Sequence, residues 1–257
     1  MEIDYKHLET VDSTVRWVES NLESLDRNKL TIVTANTMTD GVCRHANRRW
    51  IAPPKVNIYL TACLFIPALR PDLPNTAQVM AISVANVLET LGFSPSIRWP
   101  NDVLLSDKKV SGVLARITSH GDSYALSISA GVNVNMTPEQ LAEIDKPATS
   151  LQVEKGESFN RDTVRDALIL EFSQNLQCFL DNGFKLQFER LSTLVHAKEG
   201  TPLQLNDYQK IWNGKFHSLN SDGSLNLELP LNDIRTFLAG EILEEETVFS
   251  KSAEIDD

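Results

Sequence analysis

The sequence predicts an α+β fold, with strands and long helices in one large unit followed by a small β-barrel. Three observations carry this expectation. Val15, Val18, Leu22 and Leu25 recur at helical spacing near the N-terminus, as Val164, Leu168, Phe172, Leu176 and Phe179 do in the second half. Between these helices, residues 97–132 read as four short strands. After Lys198 the pattern changes to short strands and turns alone.

In chain order, Ser13 or Thr14 caps the first helix, because a hydroxyl there accepts a free backbone N–H. Thr31–Thr34 is a strand, and residues 35–54 form an arginine-bearing loop. Asn57–Ile66 is β-rich and apolar. Asn75 caps a largely apolar helix that Gly92 ends, and its composition predicts burial on most sides. Strands follow at Ile97–Trp99, Val103–Leu105, Val110–Ile117 and Tyr124–Val132, with Ser106-Asp107-Lys108 as a tight connection. Asp162 caps the second long helix, which Asn182-Gly183 ends, and a shorter helix spans Phe184–Val195. Pro202–Leu205, Ile211–Leu219 and Leu225–Leu229 build the barrel, with a hairpin turn at Ser221-Asp222-Gly223. The expected division is 1–197, 198–243 and a solvated acidic tail, 244–257.

Composition narrows the function. With 42% hydrophobic and 23% charged residues, the chain is neither disordered nor low in complexity. Apolar runs such as Ile58–Ile66 are too short to span a bilayer, and Met1-Glu2-Ile3-Asp4 opens no export signal. Three cysteines without C-x-x-C spacing make a disulfide framework or structural zinc site unexpected, and a reducing cytoplasm the expected location. The net charge of −11 argues against a general nucleic-acid binder. Yet residues 41–116 carry nine bases and four acids, whereas 241–257 carry seven acids and one base. A basic segment inside an acidic chain points to a local anionic ligand.

The most informative stretch is Ile97-Arg98-Trp99-Pro100-Asn101-Asp102-Val103. Proline ends a strand there, so Asn101 and Asp102 stand at a strand edge with side chains free to meet a ligand. Lys109 lies seven residues beyond Asp102, just past the tight turn, and Gly112 three further, where backbone can approach a ligand closely. A hairpin would return Lys109 to Asp102. Alone, this also describes a surface hairpin with two solvated lysines.

Trp-Pro-Asn-Asp with Lys109 and Gly112 at this spacing resembles the signature of biotin–protein ligases. Other segments agree in order. Asp12-Ser13-Thr14 resembles the family's Ser-Thr-Asn segment, with Val15 in place of Asn. Trp50 with Ala52-Pro53, then Asn57-Ile58-Tyr59-Leu60, resembles its Trp-x-Ser-Pro and Asn-Leu-Tyr-Leu. Ala130-Gly131-Val132-Asn133 resembles Ala-Gly-Ile-Asn, and Gly240-Glu241-Ile242 resembles Gly-Glu-Ile. One segment departs. Where the family has Gln-Thr-x-Gly-Arg-Gly-Arg-x-Gly-Arg, this chain reads from Met38 to Trp50 with only Gly41, Arg44 and Arg48 in matching places.

The resemblance implies a biotin/lipoate ligase-like mixed sheet flanked by helices, with a C-terminal SH3-like β-barrel. It implies ATP-dependent conversion of biotin to biotinyl-5'-AMP and transfer to a lysine of a biotin carboxyl carrier protein. Lys109, Arg44 and Asp102 would be catalytic. Ser13, Thr14, Gly41, Arg44, Lys109, Gly112 and Gly131 would hold biotin. Arg44, Arg48, Trp50, Asn101 and Asn133 would hold the nucleotide. Asp102 would bind Mg2+, orient Lys109 or deprotonate the acceptor amine. Only twelve residues precede Ser13, so no DNA partner is expected; nor is a membrane, and the chain would be a monomer or homodimer. Two other readings stand beside this one: a lipoyl or octanoyl ligase or transferase, and a non-catalytic biotin- or carrier-binding module with an eroded loop.

Overall fold

The computed structural model describes residues 1–43, 49–51 and 53–243, with Arg49 described by its backbone alone. In order, the elements are β1 (Ile3–Val11), α1 (Thr14–Asn21), β2 (Leu30–Met38), β3 (Gly41–Val42), β4 (Arg49–Trp50), β5 (Ile58–Ile66) and α2 (Thr76–Thr90). Then come β6 (Ser96–Arg98), β7 (Asp102–Leu105), β8 (Lys108–His120), β9 (Ser123–Val132), α3 (Pro138–Leu141), α4 (Leu151–Lys155), α5 (Arg161–Asn182) and α6 (Lys185–Leu194). Strands β10 (Pro202–Asn206), β11 (Ile211–Leu219), β12 (Leu225–Leu229), β13 (Asp233–Phe237) and β14 (Glu241–Leu243) follow.

The large sheet runs β1-β2-β5-β9-β8-β7-β6. Only β1 and β2 are parallel, so it is mixed, as expected. Side chains alternate across a strand with period two, which gives each face its own cluster. Ile32, Leu60, Ala62, Leu64 and Ile128 face α2, α5 and α6 in the main core. Val33, Cys63 and Ala125 face the other way, where Val18, Leu22 and Leu25 cover them. Helix α2 is buried on most sides, and Gly92 after it has φ +77°, the left-handed conformation that glycine adopts without strain.

Four expectations need correction. The small C-terminal sheet, β13-β12-β11-β10-β14, is open and not a closed SH3-like barrel. Among the described residues its edges, β13 and β14, pair only with β12 and β10 respectively. Its apolar side is instead filled from outside, with Trp99 and Ala197 buried among Leu205, Phe216, Leu225, Leu227, Phe237 and Ile242. Asn160, not Asp162, caps α5, accepting from Thr163 N at 3.0 Å, because Asp162 is engaged with Arg165 at 2.8 Å. Asn75 stands at the α2 N-cap but its amide donates to Gln78 Oε1 and to Asp222 O, both at 2.7 Å. Strands β1, β13 and β14 were not anticipated. Residues 244–257 lie outside the described residues. Among the described residues, no helix is long and apolar enough to cross a membrane.

Candidate active site

A cleft of about 440 Å³ opens between the large sheet and the C-terminal sheet. That is the size of a small-molecule pocket. Its floor is built from β8 and β9, its near wall from the start of α1 and its far wall from the β6–β7 turn. Residues 143–148 and Gly240-Glu241-Ile242 close the mouth.

Asp102 and Lys109 meet here. A regular β7–β8 ladder would put them on opposite faces, since Asp102 pairs with Gly112. The register shifts between Val103 and Leu104, so that Leu104 faces Lys109 and Val110 is extra. This bulge turns Lys109 onto the face of Asp102, and Lys109 Nζ lies 2.5 Å from Asp102 Oδ1. The tight connection has left-handed backbone at both Ser106 and Asp107, as a two-residue hairpin turn requires. The bulged backbone finds its partners in residues 147–149: Lys109 N donates to Pro147 O, and Thr149 N donates to Lys109 O.

Arg98 stands in the informative stretch of the sequence but is given no role there. Its guanidinium is 3.0 Å from Asp102 Oδ2 and also lines the cleft. The signal was its position four residues before Asp102, because a hairpin with a three-residue turn pairs i with i+4. Burial pushes the Asp102 carboxyl up, but Lys109 and Arg98 together outweigh it and hold the group below its ordinary value. Both oxygens of Asp102 thus face cations, which is not the surrounding of a divalent-cation ligand. Among the described residues, no group of three or more acids, histidines or cysteines could hold a metal.

Gly112 and Gly131 are partners across the β8–β9 ladder. Trp50 lies over both. A Cβ on Gly131 would come within 2.6 Å of the indole, and one on Gly112 within 2.9 Å of Lys109 and 3.1 Å of the indole. Among the described residues the buried Trp50 indole N–H has no hydrogen-bond partner, and Lys109 Nζ stands 5.9 Å from the ring centroid.

Ser13 and Thr14 line the cleft and are nearly fully buried. Ser13 Oγ accepts from Val15 N at 3.2 Å, and Thr61 Oγ1 donates to Thr14 Oγ1 at 2.8 Å. Asn101 donates to Val113 O at 2.5 Å. Asn133 also lines the cleft, but its amide donates to Thr149 O and accepts from Asn57, which ties down the strand end. Gly41 pairs with Trp50 in the β3–β4 ribbon and faces an adjoining cleft. Arg44 and Arg48 lie outside the described residues. Sequence reasoning also missed Lys146, whose Nζ is 2.9 Å from Glu241 Oε1 across the mouth.

The model of the biotin/lipoate A/B protein ligase family matches residues 8–133, the stretch that supplies the α1 wall, the glycine floor and the Asp102–Lys109 pair. The matched stretch is 126 of the 257 residues. Curated relatives and solved structures extend the likeness. The bifunctional ligase/repressor BirA of Bacillus subtilis is 28% identical over 209 residues, covering 77% of this chain and 61% of the relative. The Escherichia coli protein of the same name is 26% identical over 240 residues, covering 91% and 72%. The chain thus spans less than two thirds of the Bacillus relative. A mutant biotin protein ligase from Aquifex aeolicus in complex with biotin superposes with a TM-score of 0.76 at 25% identity, covering 93% of this chain and 97% of that one. A Leishmania major biotin protein ligase in complex with biotinyl-5-AMP shares the fold, with a TM-score of 0.60 at 22% identity, covering 92% and 99%.

Proposed function

We propose that this chain is a biotin–protein ligase of the biotin/lipoate ligase family. It activates biotin with ATP and passes the biotinyl group to a lysine of a biotin carboxyl carrier protein. The observation that carries the reading is the Asp102–Lys109 pair standing against Gly112, whose ladder partner Gly131 completes the floor of a cleft of small-molecule size.

The chemistry has two steps. The biotin carboxylate attacks the α-phosphorus of ATP, forming the mixed anhydride biotinyl-5'-AMP and releasing pyrophosphate. The carrier amine then attacks the acyl carbon, AMP leaves, and the amine loses a proton. The first step brings two anions together, and it needs fixed positive charge where they meet. Lys109 supplies that charge, held in place by Asp102. Because Asp102 is ionised and paired with two cations, it orients Lys109 rather than serving as the amine's base. Arg44, from the sequence reading, adds a second charge, and Arg48 a third. Ser13, Thr14, Gly112 and Gly131 would surround the acyl group, with Gly41 in the adjoining cleft, while Trp50, Asn101 and Asn133 would stand on the nucleotide side. Mg2+ belongs with the nucleotide phosphates and not with Asp102.

Residues 1–197 would form the catalytic unit and 198–243 a C-terminal unit that closes one wall. Incubation with biotin, ATP and a purified carrier domain tests the ligase activity, with lipoate and octanoate in parallel. Covalent biotin on the carrier lysine is expected. Transfer of lipoate or octanoate instead would move the chain to the other branch of the family, and transfer of none would leave it a binding module.

A further inference from the structure

Asp102 opens the second strand of a short hairpin. Strands β6 and β7 are three and four residues long, and β6 is the outer edge of the large sheet. Strand β8 holds the backbone of β7 on its other side, where Asp102 pairs with Gly112, so the turn before Asp102 bears on how that first residue of β7 is presented. The turn, Trp99-Pro100-Asn101, is tied at one end by Asn101, whose amide donates to Val113 O. At the other end, Trp99 leaves the large sheet altogether. Its ring is 3% exposed and packs in the C-terminal cluster, and its indole N–H donates to Gly223 O at 2.9 Å.

Gly223 is built to receive it. It ends the turn between β11 and β12 with φ +78°, and a Cβ there would meet Gln78 Oε1 at 2.3 Å and Asn75 Nδ2 at 2.7 Å. The same carbonyl accepts a second bond, from Gln78 Nε2 at 3.0 Å, which joins the turn to α2 and not to the cleft. Gly223 therefore holds two elements at once, and only Trp99 leads to Asp102.

We propose that Trp99 is a positioning residue: through its bond to Gly223 and its seat in the C-terminal sheet, it sets Asp102, and through Asp102 the Lys109 ammonium. The C-terminal sheet then contributes to the first chemical step without touching the reacting atoms. This inference rests on the proposed ligase reading for its kinetic consequence, but not for its structural one.

Trp99→Phe keeps an aromatic ring in the cluster and removes only the donor. Gln78→Met removes the other donor to the same carbonyl and serves as the control. Each is treated with a small amine-acylating reagent, and the ratio of Lys109 to Lys108 labelling is read by tandem mass spectrometry. Lys108 is exposed and adjacent, so it reports the reagent itself, and Asp102→Asn gives the ceiling for an unpaired Lys109. In Trp99→Phe the ratio is expected to rise about threefold or more, as local opening frees the ammonium. In Gln78→Met it should stay at the wild-type value. In biotin-dependent pyrophosphate release, kcat of Trp99→Phe should fall about 10–100-fold, with KM for biotin changed by less than about threefold, as for a misplaced catalytic group. An unchanged ratio in Trp99→Phe, or an equal rise in Gln78→Met, would overturn the proposal. Absence of pyrophosphate release from the wild type would defeat the ligase reading alone, and the labelling ratio would still decide this one.

Discussion

Gly112 and Gly131 face each other across the β8–β9 ladder, and the Trp50 ring rests on both of them. Neither glycine is there for backbone freedom, since neither has positive φ. They are glycines because a flat ring needs the space where a Cβ would stand. The floor is thus shaped for a planar group, and Trp50 covers it.

Gly131→Ala tests that floor. Its Cβ would lie 2.6 and 2.7 Å from Trp50 Cε2 and Cζ2, closer than real contacts allow. Overpacking of this kind costs about 1–3 kcal/mol where neighbours cannot yield. Biotin affinity, measured by calorimetric titration, should fall about tenfold or more, since about 1.4 kcal/mol is a factor of ten. The melting temperature should drop by only a few degrees.

Lys109→Ala removes the charge nearest the reacting centre and leaves Asp102 with Arg98. Loss of one preorganised donor typically lowers kcat by about 10²–10³. Pyrophosphate release should fall by that much while far-ultraviolet circular dichroism stays unchanged. Near-normal release would take Lys109 out of the chemistry.

The Asp102 carboxyl is held below its ordinary value despite burial, so its pH linkage has a definite sign. The ionised form stabilises the fold fully above the unfolded value of about 3.9, and this contribution is lost as pH falls through the lower folded value. The stability difference between wild type and Asp102→Asn should therefore be constant above about pH 5 and shrink below pH 4. Denaturant melts at a series of pH values check this. A gap that widened on acidification would mean the carboxyl is protonated in the folded protein.

Cys63 lies under α1 with Val33 and Ala125, and burial raises its thiol to about 11 against a weaker opposing bond from Ser127. At pH 8 it should resist a thiol reagent until the protein unfolds, whereas the half-buried Cys178 should react in the native state. Fast native labelling of Cys63 would show that α1 opens readily from the sheet.

The chain reveals its site unevenly before the structure is known. The Asp102–Lys109 pairing is legible because Ser106-Asp107 forces a tight turn between them, although the bulge at Val110 that aligns their side chains leaves no mark in composition. Buried helix stripes are legible for the same reason, as Val164, Leu168, Phe172, Leu176 and Phe179 each lie in the core. Strand β1 is not. It is an edge strand carrying Asp4, Lys6, His7 and Glu9, and its exposed Ile3 and Tyr5 give no core signal. Nor is the open form of the C-terminal sheet, because alternation along β11 and β12 is the same whether the sheet closes on itself or around Trp99. Contacts between distant segments, such as Trp99 with Gly223 or Lys146 with Glu241, are tertiary facts with no local signature.

The most direct test is biotin-dependent exchange of radiolabelled pyrophosphate into ATP, without any carrier present. It isolates the step that Lys109 is assigned to, since exchange requires reversible formation of an acyl-adenylate. The account predicts exchange that appears with biotin, is absent with lipoate or octanoate, and is lost in Lys109→Ala. Exchange that proceeds equally without biotin, or none with any of the three acids, would contradict it.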